Sequence, residues 1–280
     1  TTMLLGAAKY LANNQDFRGQ VNFIFQPAEE GIGGAKAMIE DGLFEQFPCD
    51  TLYAMHNAPK MKIGALAAIA GVRTAAGAFF DIDITGKGAH GAMPDQGVDP
   101  VIIAGELIVA LQSIVSRNIN PGQTAVLSIT QVHAGDAYNV IPGSARLSGT
   151  VRTLDMKLMA RIETRMREMV SGICAAHGAT GIVDYRIIFH TVQNDATVSA
   201  FAADVCDELV GKENVYREGN PGTGSEDFSF MSEQVPSCYL NLGNGKDSHS
   251  LHNHDYDFND EALSYGASFF ARVVEKSLTE

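Results

Sequence analysis

The chain has 280 residues, enough for one large domain or two ordinary ones, and its 45% hydrophobic and 19% charged content describes a globular protein with ample core. A formal charge of −13 with no Lys/Arg cluster argues against a nucleic-acid partner. No apolar run reaches membrane-spanning length and the N-terminus lacks signal-peptide order; Cys49, Cys174, Cys206 and Cys238 have no CxxC spacing, so no membrane partner and no disulfide framework is expected, and cytoplasm is the default.

Residues 3–13 read as a helix, with Leu4, Leu5, Ala8 and Leu11 at helical spacing. The chain opens inside this pattern, without an initiator methionine, and so reads as the interior of a longer protein. Val21–Phe25 reads as a buried strand; Glu29 and Glu30 follow, and Gly31-Ile32-Gly33-Gly34-Ala35 opens a helix over 33–41, closed by Gly42. Residues 50–57 form a second short strand ending in His56, and Ile63–Gly71 a third.

At about residue 72 the texture changes. Phe80–Thr85 and Ala145–Thr153 alternate strictly, as strands with one wet face do, while Val98–Arg117 and Asp155–His177 carry one apolar helical face each. With strands at Thr124–His133 and 181–189, the order is the β-α-β-β-α-β of a ferredoxin-like unit. Beyond about 190 come a helix over 197–210, a glycine-rich loop, a strand near Cys238–Leu242, a histidine-rich loop and a closing helix from Asn259 to Ser277. The expected fold is α/β, in two pieces, 1–71 and 188–280, with a smaller α+β domain, 72–187, inserted.

Strand, acidic turn, helix is where an open α/β sheet places its chemistry. Adjacent carboxylates there can divide metal binding and proton transfer, although a pair favoured by a helix dipole reads equally well. Gly86-Lys87-Gly88-Ala89-His90-Gly91 matches GxGxxG, but Pro94 and Gly97 break the helix a dinucleotide site needs, and the loop is better read as projecting His90. Ser225 is followed by Glu226, which does not suit a nucleophile elbow. His249, His252 and His254 crowd one polar loop; with Glu29, Glu30 and His56 they suit zinc or manganese, and plain surface histidines are the competing reading.

Phe25–Gly31, Met55-His56, Thr85–Pro94, Tyr138-Asn139-Val140-Ile141-Pro142, Gly149–Thr153, Gly224–Phe228 and Leu251-His252-Asn253 stand in a familiar order. Together they resemble the two-metal amidohydrolases of the metallopeptidase 20 family, the branch with hippurate hydrolase, N-acyl-amino-acid amidohydrolases and plant auxin-conjugate hydrolases. The resemblance implies a split two-metal peptidase-like catalytic domain, with the inserted domain serving homodimerisation. It implies metal-dependent hydrolysis of N-acyl-amino acids, with Glu29 as the base and acid working on a metal-bound water. By the same likeness Glu30, His56 and His252 are metal ligands for zinc or manganese, His90 reaches into the partner subunit's site, and Asn139 and Arg152 hold the substrate.

Two departures stand out. His254 occupies a place where the family has proline. The family also carries a Cys-Gly-His-Asp-Gly-His segment before the first helix, which this sequence lacks; with three ligands left for two ions, weak or single metal binding and little activity are expected of the chain as written. The alternative function is a non-catalytic homologue acting as a dimerising or ligand-binding subunit, which would not need Glu29.

Overall fold

The structure is a computed structural model and describes residues 1–31 and 33–279; Ile32, read above as part of a helix opening, lies outside the described residues. The chain divides into two compact units, Thr1–Arg73 with Val192–Gly222 and Glu226–Glu280, and Thr74–Thr191 with Thr223–Ser225.

The first stretch of unit one holds helices α1 (Thr2–Asn13), α2 (Gly34–Glu40) and α3 (Leu43–Gln46), then strands β1 (Leu52–Ala58), β2 (Leu66–Ala67) and β3 (Gly71–Val72). Two expectations need correction. Residues 20–26 form no strand: no ladder partner meets this segment among the described residues. Its apolar side chains are shared out instead, Phe23 against Ala7 and Leu11, Ile24 against Ala35 and Leu43, with Phe25 left 45% exposed. The single strand expected over Ile63–Gly71 is two two-residue strands, separated by residues that pair elsewhere; Ala68 N donates to Tyr216 O.

Unit two runs β4 (Ala76–Thr85), β5 (Ala89–His90), α4 (Pro100–Asn118), β6 (Ala125–Ala134), β7 (Val140–Ile141), β8 (Ser144–Thr153), α5 (Met156–Ala176) and β9 (Thr180–Phe189). The long strands form an antiparallel sheet in the order β6-β8-β4-β9, the ferredoxin-like arrangement. Alternation decides its two faces. Phe80, Ile82, Ile84, Leu147 and Val151 point to a core closed by Ile103, Leu107 and Leu111 of α4 and by Met159, Ile162 and Met166 of α5. The opposite face carries Arg146 paired with Asp83 and Arg186 paired with Asp81. Both helices start on aspartate caps, Asp99 accepting from Val101 N and Asp155 from Lys157 N, each satisfying an amide that the helix leaves free.

Helix α4 corrects a third expectation. With 19 residues and a mean hydropathy of 1.5 it is long and apolar enough to cross a membrane by length and composition. Contiguous runs hid this, because Gly105-Glu106 and Gln112-Ser113 interrupt them while the average stays high. Its inner face lies in the core, and its outer face exposes Val101, Ile102 and Val109.

The chain then returns to unit one with β10 (Gln193–Asn194), α6 (Ala196–Val210), β11 (Val215–Tyr216), α7 (Ser229–Ser232), β12 (Ser237–Gly243) and α8 (Ala262–Leu278). Helix α8 begins at Glu261 as its N-cap, two residues after the Asn259 expected there; Asn259 accepts from Glu261 N in the turn before it. The sheet order is β1-β12-β2-β11, with β1 parallel to β12. Cys238, Leu240 and Leu242 of β12 face α6 and α8, whereas Tyr239 faces a second cluster with Ala35, Leu43, Phe228 and Met231. Parallel pairing brings His56 of β1 opposite Asn241 near the carboxyl ends of both strands.

Ile82 is fully buried at the centre of unit two. Ile82→Ala is expected to cost about 2–5 kcal/mol, through lost transfer energy and the cavity left behind; urea denaturation followed by circular dichroism measures it.

Candidate active site

The acidic turn is built tightly. Ala28 takes a left-handed φ of 56°, uncommon for a residue with a Cβ, and Gly31 N donates to Glu29 O at 2.6 Å. Gly34 closes the turn so near the incoming chain that a Cβ there would stand 1.8 Å from Pro27 O. The fully buried Asp227 carboxylate fastens both sides: Oδ2 accepts from Gln26 Nε2 before the turn and from Ala35 N after it, both at 2.8 Å, and Gly34 N donates to the same carboxylate. The first amides of α2 are therefore taken by Asp227, and the helix dipole accounts for Asp227 rather than for the Glu29–Glu30 pair.

Glu29 is half-buried with its carboxyl raised above the ordinary glutamate value of 4.5. Burial is the largest cause; the negative charges of Glu226, Glu30 and Asp227 push the same way and His56 opposes them. No Lys or Arg figures among the charges acting on it. Glu226 is itself buried, accepting from Tyr239 OH at 3.0 Å and from Phe228 N at 3.2 Å. Tyr239 is pushed strongly upward by burial and then by Glu226, so its phenol stays a donor. Asn194 holds the Tyr239 backbone at both ends, accepting from its N–H at 2.7 Å and donating to its carbonyl at 2.9 Å. The Tyr239 ring lies 6.1 Å from the His56 ring.

The motif Gly224–Phe228 carries no assigned role for Glu226 or Asp227 in the sequence, and Tyr239 belongs to none of the motifs there. A signal for Tyr239 existed: a phenol inside the apolar strand 237–243 needs a buried acceptor.

His56 Nδ1 lies 2.7 Å from Asn57 O, a carbonyl that can only accept, so Nδ1 donates and Nε2 lies outside that bond. Asn57 Oδ1 accepts from Tyr256 OH at 2.8 Å and Ser248 Oγ accepts from Lys60 N at 3.0 Å; these bonds tie the histidine loop to the end of β1. On that loop His252 is exposed with a φ of 59°, and His254 pairs locally with Asp255 at 3.1 Å. Carboxylate and imidazole are the right donors for zinc or manganese. Their placement does not complete a site: among the described residues no three His, Cys, Asp or Glu groups come together to hold an ion.

Unit two carries the other named residues. Arg152 is half-buried over the Phe79 ring, its Nη1 donating to Thr150 Oγ1 at 2.5 Å and Val151 O at 3.0 Å, with no carboxylate partner among the described residues. Arg152 Nη1 and Ser225 Oγ lie 2.9 and 3.0 Å from the point where Gly77 lacks a Cβ, and that buried Ser225 hydroxyl has no hydrogen-bond partner among the described residues. His90 and Asn139 are brought together elsewhere: His90 pairs with Val140, and Gly91 N donates to Asn139 O at 2.8 Å. They sit beyond the Ser144 end of β8, where Gly86 N donates to Gly143 O. Arg152 stands eight residues along that strand from Ser144, about 26 Å away at 3.3 Å per residue.

Residues 1–276 match Peptidase family M20/M25/M40. The chain belongs to this family. Its enzyme class is accordingly that of a metal-dependent amidohydrolase. It is 41% identical over 278 residues to a hippurate hydrolase of Campylobacter jejuni, covering 99% of this chain and 72% of that protein. It is 36% identical to an N-acetylcysteine deacetylase of Bacillus subtilis (98% and 71% covered), and 34% identical to the IAA-amino acid hydrolase ILR1-like 4 of Arabidopsis thaliana (100% and 65%). The crystal structure of the Bacillus subtilis YXEP protein, a dinuclear metal-binding peptidase of the M20 family, superposes with a TM-score of 0.82 at 31% identity, covering 99% of this chain and 70% of that one.

The raised Glu29 carboxyl has a consequence for stability. Between pH 4.5 and its higher folded value, the folded protein keeps a proton that the unfolded chain has lost, so this group's contribution to stability falls as pH rises through that window. Glu29→Gln is expected to raise the urea midpoint of the metal-free protein near pH 7, with a smaller gain near pH 4.

Proposed function

We propose that this chain is the catalytic and dimerising part of an N-acyl-amino-acid amidohydrolase acting on hippurate-like substrates. The observation that carries this reading is the Glu29 carboxyl, held on a constrained turn and raised in proton affinity. A carboxyl so tuned can take a proton from the attacking water and return it to the departing amine nitrogen as the C–N bond breaks. The products are then a carboxylic acid and a free amino acid.

Arg152 is the grip for the substrate carboxylate; its guanidinium, without a carboxylate partner among the described residues, and the Ser225 hydroxyl near it support that role. His90 and Asn139 lie too far from Arg152 to serve one small substrate in one copy, which supports their acting in the partner subunit's site. The dimer would form through the exposed outer face of α4 and the free edge of β6, a two-fold contact. Four unpaired cysteines suit a reducing compartment, the cytoplasm.

Glu30, His56 and His252 are the residues assigned to hold divalent zinc or manganese. Because they form no three-ligand group here, the 280-residue chain by itself is expected to hydrolyse little. That same feature would suit a non-catalytic homologue, the second reading; the raised Glu29 is what such a protein would have no use for. In metal-supplemented enzyme containing this chain, Glu29→Gln should lower kcat on benzoylglycine about 10²–10⁴-fold, with metal content unchanged. Wild-type turnover in the variant would remove Glu29 from the chemistry.

A further inference from the structure

The platform that presents His90 and Asn139 carries an aromatic ring with nothing to pack on. Strands β5 and β7 pair Ala89 with Ile141 and His90 with Val140, and Ile141 is buried, which anchors the platform. Met93 N donates to His90 O at 2.8 Å and Ala92 N to His90 Nδ1 at 3.1 Å, so the turn after His90 is fixed as well. Tyr138 immediately precedes Asn139. The residue is 112% exposed relative to the extended reference, more than any other large hydrophobic residue among those described, and its side chain makes no hydrogen bond or ring contact among them. Val140 and Met93, which flank His90, are 52% and 49% exposed.

Single exposed apolar residues are ordinary, but an exposed aromatic carried on an anchored backbone next to two polar groups proposed for a substrate site has the form of a recognition surface. A tyrosine ring offers a large contact area for the loss of two torsions, and its face stacks on a second aromatic ring in offset or edge-on geometry. We propose that Tyr138, with Val140 and Met93 as its apolar rim, determines acyl-group specificity: it contacts the acyl side of the substrate bound in the partner subunit and favours aromatic acyl groups over acetyl. The inference rests on the reading that His90 and Asn139 act in the partner's site. Apolar contact with the partner's protein surface, without substrate, is the competing use of the same side chain, and the two uses differ in what they discriminate.

The test is equilibrium binding by calorimetry, in the presence of manganese, with Glu29→Gln as the background so that ligand is not consumed. Benzoylglycine and acetylglycine are titrated into that background and into the same background with Tyr138→Ala or Tyr138→Phe. Tyr138→Ala is expected to lower the benzoyl-to-acetyl affinity ratio about tenfold or more, the scale of a lost apolar pocket contact, while Tyr138→Phe keeps the ratio. An unchanged ratio, an equal loss for both ligands, or no binding of benzoylglycine in the background overturns the proposal. All of these measurements use metal-supplemented enzyme containing this chain, and turnover of benzoylglycine by that enzyme with Glu29 intact is read separately. Its failure, with the binding ratio still shifted by Tyr138→Ala, would strike the hydrolase reading and leave the Tyr138 assignment in place.

Discussion

Both sides of the acidic turn are fastened to one buried carboxylate. Asp227 receives the Gln26 amide from the chain entering the turn and the Gly34 and Ala35 amides from the chain leaving it. Burial raises its proton affinity, and those amides lower it again by solvating the anion in place of water. Release of this carboxylate would leave the left-handed Ala28 and the close approach of Gly34 to Pro27 without a clamp. Glu29 and Glu30 sit between these points, so their direction depends on a residue almost two hundred positions away.

Around that clamp the charges are arranged against neutrality. Glu29, Glu226 and Asp227 crowd together with His56 as the only opposing charge acting on Glu29. Such a concentration disfavours ionisation of Glu29, while Glu226 accepts from Tyr239 OH and one oxygen of Asp227 accepts from Gln26 and Ala35. Glu226 and Asp227 are thus held in place by named donors, and Glu29 is the carboxyl of the turn proposed to move the proton.

Local pattern made much of the fold legible. Alternation in Phe80–Thr85 and Ala145–Thr153 is the register of a half-buried sheet, and β4 and β8 are its two central strands. The helices of unit two were readable from one apolar face each. Residues 20–26 misled because apolar content states a wish for burial, not for a ladder, and clusters on two sides met that wish. In the site, the Glu29–Glu30 turn was visible as local chemistry. Asp227, Glu226 and Tyr239 were not, since their roles arise only when β12 and the loop before α7 fold against residues 26–35. The histidine loop shows the same limit: its sequence crowds three imidazoles together, yet the fold pairs His254 with Asp255 and leaves His252 in solvent.

The central claim is that Glu29 owes its proton affinity to burial and to Glu226. Carbon-13 NMR of the side-chain carboxyls across a pH titration of the metal-free protein tests it most directly. Glu29 should titrate above 4.5 and move downward in Glu226→Gln, where one repelling charge is gone. Titration at or below 4.5, or no response to Glu226→Gln, would contradict the account.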